Sequence, residues 1–233
     1  MRSPLPHAKG QVLDNAFQAA HSAPMQTVLT FGDSNTHGTS PMTSRPAAGR
    51  YPPAIRWPGV MAQTLGCALI EEGLPGRTTG FDDPVMDGIM NGYPALRQAL
   101  QSHAPIDALT IMLGTNDCKA RFAASPQTIA GGIAALLDLA LGDEMQDRGS
   151  GFKLLLIAPA PVLETGVLAT EFWGGAQKSK SLAPLLRDLA QNRGVGFLDA
   201  GEHVGVSAID GVHLEGPAHR TLGHAVARAI SAL

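Results

Sequence analysis

Five short apolar runs, each leading into a segment with helical spacing, constrain this chain more than any other feature. The runs occupy residues 28–31, 68–72, 107–113, 153–158 and 195–198. Their length and β-branched content read as buried strands. Between them the spacing predicts helices over residues 55–65, 91–103, 125–147, 176–192 and 215–233. Ser125 suits an N-cap and Pro126 the first helical position. Strict strand–helix alternation predicts a parallel sheet with helices on both faces. A chain of 233 residues fits one large α/β domain, expected over 25–233.

Charge and cysteine content narrow the function classes. The formal net charge is −3, aromatic residues make up 5%, and there is no basic run. These values argue against a nucleic-acid partner. Two scattered cysteines, Cys67 and Cys118, form no disulfide framework and no metal spacing. They fit a reducing compartment, so a cytoplasmic location is expected. No apolar run approaches the length that spans a bilayer, so no membrane partner is expected. Residues 1–24 mix His, Lys, Pro, Gln and Ala without the apolar core of a signal peptide. They are expected to form a flexible extension, with Met25 as an alternative start and Val12, Leu13 and Phe17 as one amphipathic turn.

Chemistry gathers where the strands end. Gly32-Asp33-Ser34-Asn35 follows the first strand, Gly76 the second, and Gly114-Thr115-Asn116-Asp117 the third. In a parallel sheet these loops share one edge, the edge where ligands bind. Asp210-Gly211-Val212-His213 follows the fifth strand and should reach the same edge. A serine there becomes a strong nucleophile only when a neighbouring base takes its proton. His213 has the right proton affinity for that base. Asp210, three residues earlier, can fix its tautomer. The N–H groups of Ser34 and Gly76 and the side-chain amide of Asn116 can hold a developing oxyanion. Each fragment alone has a plainer reading: Asp33 or Ser34 as a helix cap, Asn116 as a turn residue, Gly76 as a bend.

Together the four blocks Gly32-Asp33-Ser34-Asn35, Gly73-Leu74-Pro75-Gly76-Arg77-Thr78, Gly114-Thr115-Asn116-Asp117 and Asp210-Gly211-Val212-His213-Leu214 resemble those of the SGNH (GDSL-type) hydrolases. Gly76-Arg77-Thr78-Thr79 and Gly211-Val212-His213-Leu214-Glu215 resemble the small bacterial arylesterase or acyltransferase branch. The resemblance spans about residues 27–232. It implies a flavodoxin-like three-layer α/β/α sandwich around a parallel sheet of about five strands. It implies a serine esterase of small acetyl or aryl esters, working through an acyl-enzyme, with acyl transfer to alcohol or peroxide as a side activity. Ser34, Asp210 and His213 are then catalytic, and Ser34, Gly76 and Asn116 form the oxyanion hole. No metal and no cofactor are implied, the partner is a small-molecule ester, and a homo-oligomer walling the active site is expected by analogy.

Asn35 departs from the usual Ser-Leu pair of that family and is expected to touch the acyl pocket. His37 is a further candidate for the pocket wall. Phe172 and Trp173, in an irregular excursion after the fourth strand, are read as an apolar wall, because such excursions often shape pockets. Asp33 is expected to brace the nucleophile turn through backbone hydrogen bonds, and Arg77 to pair with Asp82 or Asp83. Lys119 falls at the rim of the site or in solvent. His219 and His224 read as surface or packing residues, and Cys118 as a thiol outside the chemistry. Three other readings stay open: a carbohydrate acetyl esterase, a metal-dependent phosphoesterase using Asp33, Asn116, Asp210 and His213, and a non-catalytic binding module on the same fold.

Overall fold

The computed structural model describes residues 27–45, 49–149 and 151–233; the extension expected over 1–24 lies outside them. Five strands form one parallel sheet: β1 (Thr27–Gly32), β2 (Ala68–Gly73), β3 (Ala108–Met112), β4 (Lys153–Ala158) and β5 (Gly196–Asp199), in the order β2-β1-β3-β4-β5. The order reverses at β1, so the crevice between the β1 and β3 ends is where such a sheet opens to a ligand.

Alternation along each strand supplies two cores. Leu29 and Phe31, Leu109 and Ile111, Leu154 and Leu156 face one way. They are covered by α3 (Gly92–His103), α4 (Pro126–Leu141) and α7 (Leu182–Arg193) through Leu96, Ile133 and Leu186. Val28, Met112, Leu155 and Ile157 face the other way, against Trp57 and Met61 of α2 (Trp57–Leu65) and Leu222 and Val226 of α8 (Gly216–Ser231). Helices thus flank the sheet on both sides in three layers. Each fully buried Leu, Ile or Phe contributes roughly 1.5–3 kcal/mol.

Helix ends follow local chemistry. Ser125 Oγ accepts from Thr128 N at 3.0 Å to cap α4, and Asn91 Oδ1 accepts from Tyr93 N at 3.0 Å to cap α3. Two expected helices are split. The 125–147 segment breaks at Gly142, whose backbone is extended, and resumes as α5 (Asp143–Gln146). Glycine is a weak helix former and yields first. The 176–192 segment divides at Ser181 into α6 (Gly175–Lys180) and α7. Pro184 has no N–H to donate and is tolerated only in a first turn, so α7 starts anew just ahead of it. A four-residue helix that the spacing did not predict, α1 (Ser34–His37), leaves β1 directly.

Candidate active site

The turn from β1 into α1 presents Ser34. Asp33 caps this helix, its Oδ1 accepting from Asn35 N at 2.9 Å, and Gly38 closes it with φ 85°. Gly32 is required by close approach: a Cβ there would lie 2.1 Å from Thr36 Oγ1 and 2.8 Å from the Met112 carbonyl. Burial raises the Asp33 carboxyl above its ordinary range, against the lowering effect of the Asn35 N–H and His213. Asp33 therefore braces the turn, as expected.

His213 reaches Ser34 from the loop before α8. Its Nε2 lies 3.0 Å from Ser34 Oγ, and its Nδ1 lies 2.7 Å from Asp210 Oδ2. With Nδ1–H donating to the carboxylate, Nε2 is left to accept the serine proton. Asp210 is fully buried. Its Oδ1 accepts from the N–H groups of Val212 and His213, each at 3.0 Å, and its Oδ2 also accepts from Met42 N at 2.8 Å. Burial alone would raise this carboxyl. The hydrogen bonds from the His213 ring and from the two backbone N–H groups prevail and hold it at about 2. Four donors on two oxygens leave it little capacity to ligate a metal, which weighs against the phosphoesterase reading.

Two further loops supply donors beside Ser34. Gly76 has φ 94°, a conformation that resists side chains. Asn116 opens a single 3-10 turn (Asn116–Cys118) after β3. Its Nδ2 donates to the Arg77 carbonyl at 3.1 Å, which orients the amide and leaves its second hydrogen for another acceptor. Among the described residues, neither Ser34 N–H nor Gly76 N–H donates to the protein.

These groups open onto a cavity of about 530 Å³ lined by Ser34, Gly76, Asn116 and His213. His37 and Phe172 line it too, with Met42, Val85, Met86 and Leu168 as apolar wall. Two expectations are corrected. Trp173 is 75% exposed and lies outside the lining, because the excursion turns Phe172 inward and its neighbour out. Asn35 lies outside the lining as well. Its Nδ2 donates to the Val212 carbonyl and its Oδ1 accepts from Leu214 N, both at 3.0 Å, so it ties the serine turn to the histidine loop.

Arg77 pairs with neither Asp82 nor Asp83. It lies over the Phe31 ring at 4.2 Å, donates to the Gly32 carbonyl at 3.0 Å and sits 3.8 Å from Glu72. Asp83 instead binds Arg121. Cys118 is buried, and burial pushes its thiol up to about 12, which rules it out as a nucleophile near neutral pH. His219 packs in the interior, and the exposed His224 meets Thr64 Oγ1 at 3.2 Å. Sequence reasoning missed Met42, Arg121 and Glu171 at this site. Met42 acts through its backbone and the other two through long-range ion pairs, so no local pattern marks them.

Residues 30–221 match the model of the GDSL-like lipase/acylhydrolase family. The chain belongs to that family. Among solved structures it is similar to Est24, a carbohydrate acetylesterase from Sinorhizobium meliloti, at 40% identity and TM-score 0.84, over 89% of this chain and 99% of that one. The aryl esterase of M. smegmatis matches at 37% identity and TM-score 0.84, with the same coverage. A second carbohydrate acetylesterase family member from S. meliloti matches at 36% identity and TM-score 0.78, over 90% and 100%. No curated protein matches the chain. Family and neighbours together make it a carboxylic ester hydrolase. No helix among the described residues is long and apolar enough to cross a membrane.

Proposed function

We propose that Ser34 is the nucleophile of this ester hydrolase, His213 its general base and acid, and Asp210 the group that orients His213. The observation that carries the reading is the continuous chain from Ser34 Oγ through His213 to Asp210, at 3.0 Å and 2.7 Å, facing the cavity. Ser34 Oγ attacks the ester carbonyl as His213 Nε2 takes its proton. Negative charge then gathers on the carbonyl oxygen, where Ser34 N–H, Gly76 N–H and Asn116 Nδ2–H are the proposed donors. His213 returns the proton to the departing alcohol, leaving an acyl-serine. Water, activated by the same histidine, releases the acid and restores the hydroxyl.

The proposed substrates are small acetyl or aryl esters. Phe172 and Leu168 support a short acyl group against an apolar wall. Transfer of the acyl group to an alcohol or peroxide is a side activity of the same intermediate. Carbohydrate acetyl esters are the second reading, favoured by the neighbour at 40% identity. The test sets aryl acetate, butyrate and octanoate beside Ser34→Ala. Acetate fastest, with a loss on the order of 10³-fold or more in the variant, supports the reading. Equal activity in Ser34→Ala removes it, and octanoate fastest removes the short-acyl part.

A homo-oligomer and a cytoplasmic location complete the proposal. Exposed apolar side chains at Val85 and Trp173 support assembly, and a monomer by sedimentation would remove it. Cys67 and Cys118 are free thiols, which fits a reducing compartment. Export of the full-length chain from its cell would overturn that placement.

A further inference from the structure

Lys119 stands one turn beyond Asn116, its N–H donating to the Asn116 carbonyl at 3.1 Å. Its side chain lines the same cavity as Ser34 and His213, yet the residue is only 5% exposed. An ammonium carries three donors. Among the described residues this one has no oxygen within hydrogen-bond distance: the nearest partners are Asp83 Oδ2 at 3.8 Å and Met86 Sδ at 4.0 Å. Burying a charge in that condition is costly, and the fold tolerates it here at the wall of an open site.

The surrounding carboxylates are already engaged. Asp83 accepts from Arg121 Nε at 3.0 Å, Arg121 Nη2 at 2.7 Å and Val85 N at 3.0 Å. Glu171 is bound by Arg121 Nη1 at 3.1 Å and by Arg45. Arg50 also lines the cavity, with Glu71 at 3.7 Å, and Glu71 is held by Arg56. Four cationic side chains, Arg45, Arg50, Lys119 and Arg121, thus line the cavity against one carboxylate, Glu171.

We infer that Lys119 selects the substrate by taking a carboxylate carried away from the scissile bond, so that the preferred esters are anionic. This rests on the hydrolase reading above and sharpens its substrate class. A carboxylate supplies the missing acceptor oxygens and offsets the excess positive charge. A neutral hydroxyl supplies acceptor lone pairs without the opposing charge, and an apolar group strips water from the ammonium without replacing it. Burial, chiefly, and the nearby Arg121 charge lower the proton affinity of the Lys119 ammonium, while Glu171, Asp83 and Asp33 act the other way. A bound anion would raise it again.

The test uses two matched pairs: 4-acetoxybenzoate with its methyl ester, and monophenyl glutarate with phenyl pentanoate. The first pair places the charge on the leaving group and the second on the acyl group. Lys119→Met is expected to lower the anionic-to-neutral ratio of kcat/KM by about tenfold or more in at least one pair, through KM. Salt at about 0.5 M should shrink the same ratio in the wild type. Lys119→Gln, which keeps a donor without charge, should lose the preference too. An unchanged ratio in both pairs overturns the inference, as does a preference that survives in Lys119→Gln. Calorimetry in the Ser34→Ala background reads the site without turnover. There the anionic member of at least one pair should bind at least about tenfold more tightly than its neutral match, and the added Lys119→Met change should erase the difference. Equal binding in both pairs overturns the inference. Discrimination in binding without hydrolysis by the wild type would remove the hydrolase reading and leave the anion site standing.

Discussion

Asn35 grips the backbone on both sides of His213. Its Nδ2 donates to the Val212 carbonyl at 3.0 Å and its Oδ1 accepts from Leu214 N at 3.0 Å. Ser34 immediately precedes it, so the residue that follows the nucleophile also sets where the base stands. Asn35 is 6% exposed, and no water replaces those two bonds at low cost. Asn35→Leu fills the space but leaves the carbonyl and the N–H bare. Roughly 1–3 kcal/mol of stability should go with each group stranded. The displaced imidazole should lower kcat more than it raises KM. Urea unfolding together with aryl acetate kinetics checks both, and an unchanged kcat would show that Ser34 and His213 align without the clamp.

Asn116 is held by one hydrogen of its amide and offers the other. The Arg77 carbonyl takes the first at 3.1 Å. Asn116→Ala removes the offered donor from a site that has two others proposed, so activity should fall without vanishing. A loss of about 10²–10³-fold in kcat, with KM little changed, is expected for one oxyanion donor. A loss confined to KM would mean that the amide binds the ground state only.

Gly76 can be tested for backbone and cavity separately. At φ 94° a side chain is strained, on the order of 1–2 kcal/mol, and an added Cβ would stand 2.6 Å from Met86 Sδ and Cε. The end of a methionine can move, and the one that moves here lines the cavity. Gly76→Ala should lower stability and raise KM. Adding Met86→Ala should restore much of KM while the stability loss persists, because the backbone strain is untouched. Recovery of both by the second change would place the whole effect in the steric contact.

The strands, their order of appearance and the four loop blocks were legible because each is written locally. An apolar run marks a buried strand, and Gly-Asp-Ser or Gly-Thr-Asn marks the turn that leaves it. The broken helices at Gly142 and Ser181 were not legible, since periodicity runs through them and only backbone propensity decides. Asn35 was misread because its partners are 177 and 179 residues away, and a polar residue beside a nucleophile suggests substrate contact first. Arg77 was misassigned for a related reason. Nearby aspartates suggested a partner, while the fold supplied Gly32, Phe31 and Glu72 instead. Phe172 and Trp173 are adjacent and alike in composition. Which one faces the cavity depends on the path of the excursion, which no spacing rule supplies.

His219 makes the fold sensitive to acid at a point outside the proposed chemistry. It is fully buried on α8, its Nδ1 accepts from Trp57 N at 3.4 Å, and its Nε2 has no partner among the described residues. Protonation would set an N–H against the Trp57 N–H in an apolar setting. Burial, with a smaller contribution from His213, lowers its proton affinity from the ordinary 6.5 to about 4. Between these values the unfolded chain holds a proton that the folded chain lacks, so stability falls as pH drops from 6.5 toward 4. Below 4 both states are protonated and the loss stops growing. Asp117 acts in the opposite sense: burial raises it from 3.8 to about 6 against its Thr79 hydrogen bonds, so the folded state binds protons more readily there. That contribution is common to wild type and His219→Gln and cancels in their difference. The difference should therefore open by up to ~1.4 kcal/mol per pH unit across this window, in favour of the glutamine variant. Urea midpoints at stepped pH values measure it, and parallel curves from pH 7 to pH 4 would show that the buried imidazole titrates as it does in the unfolded chain.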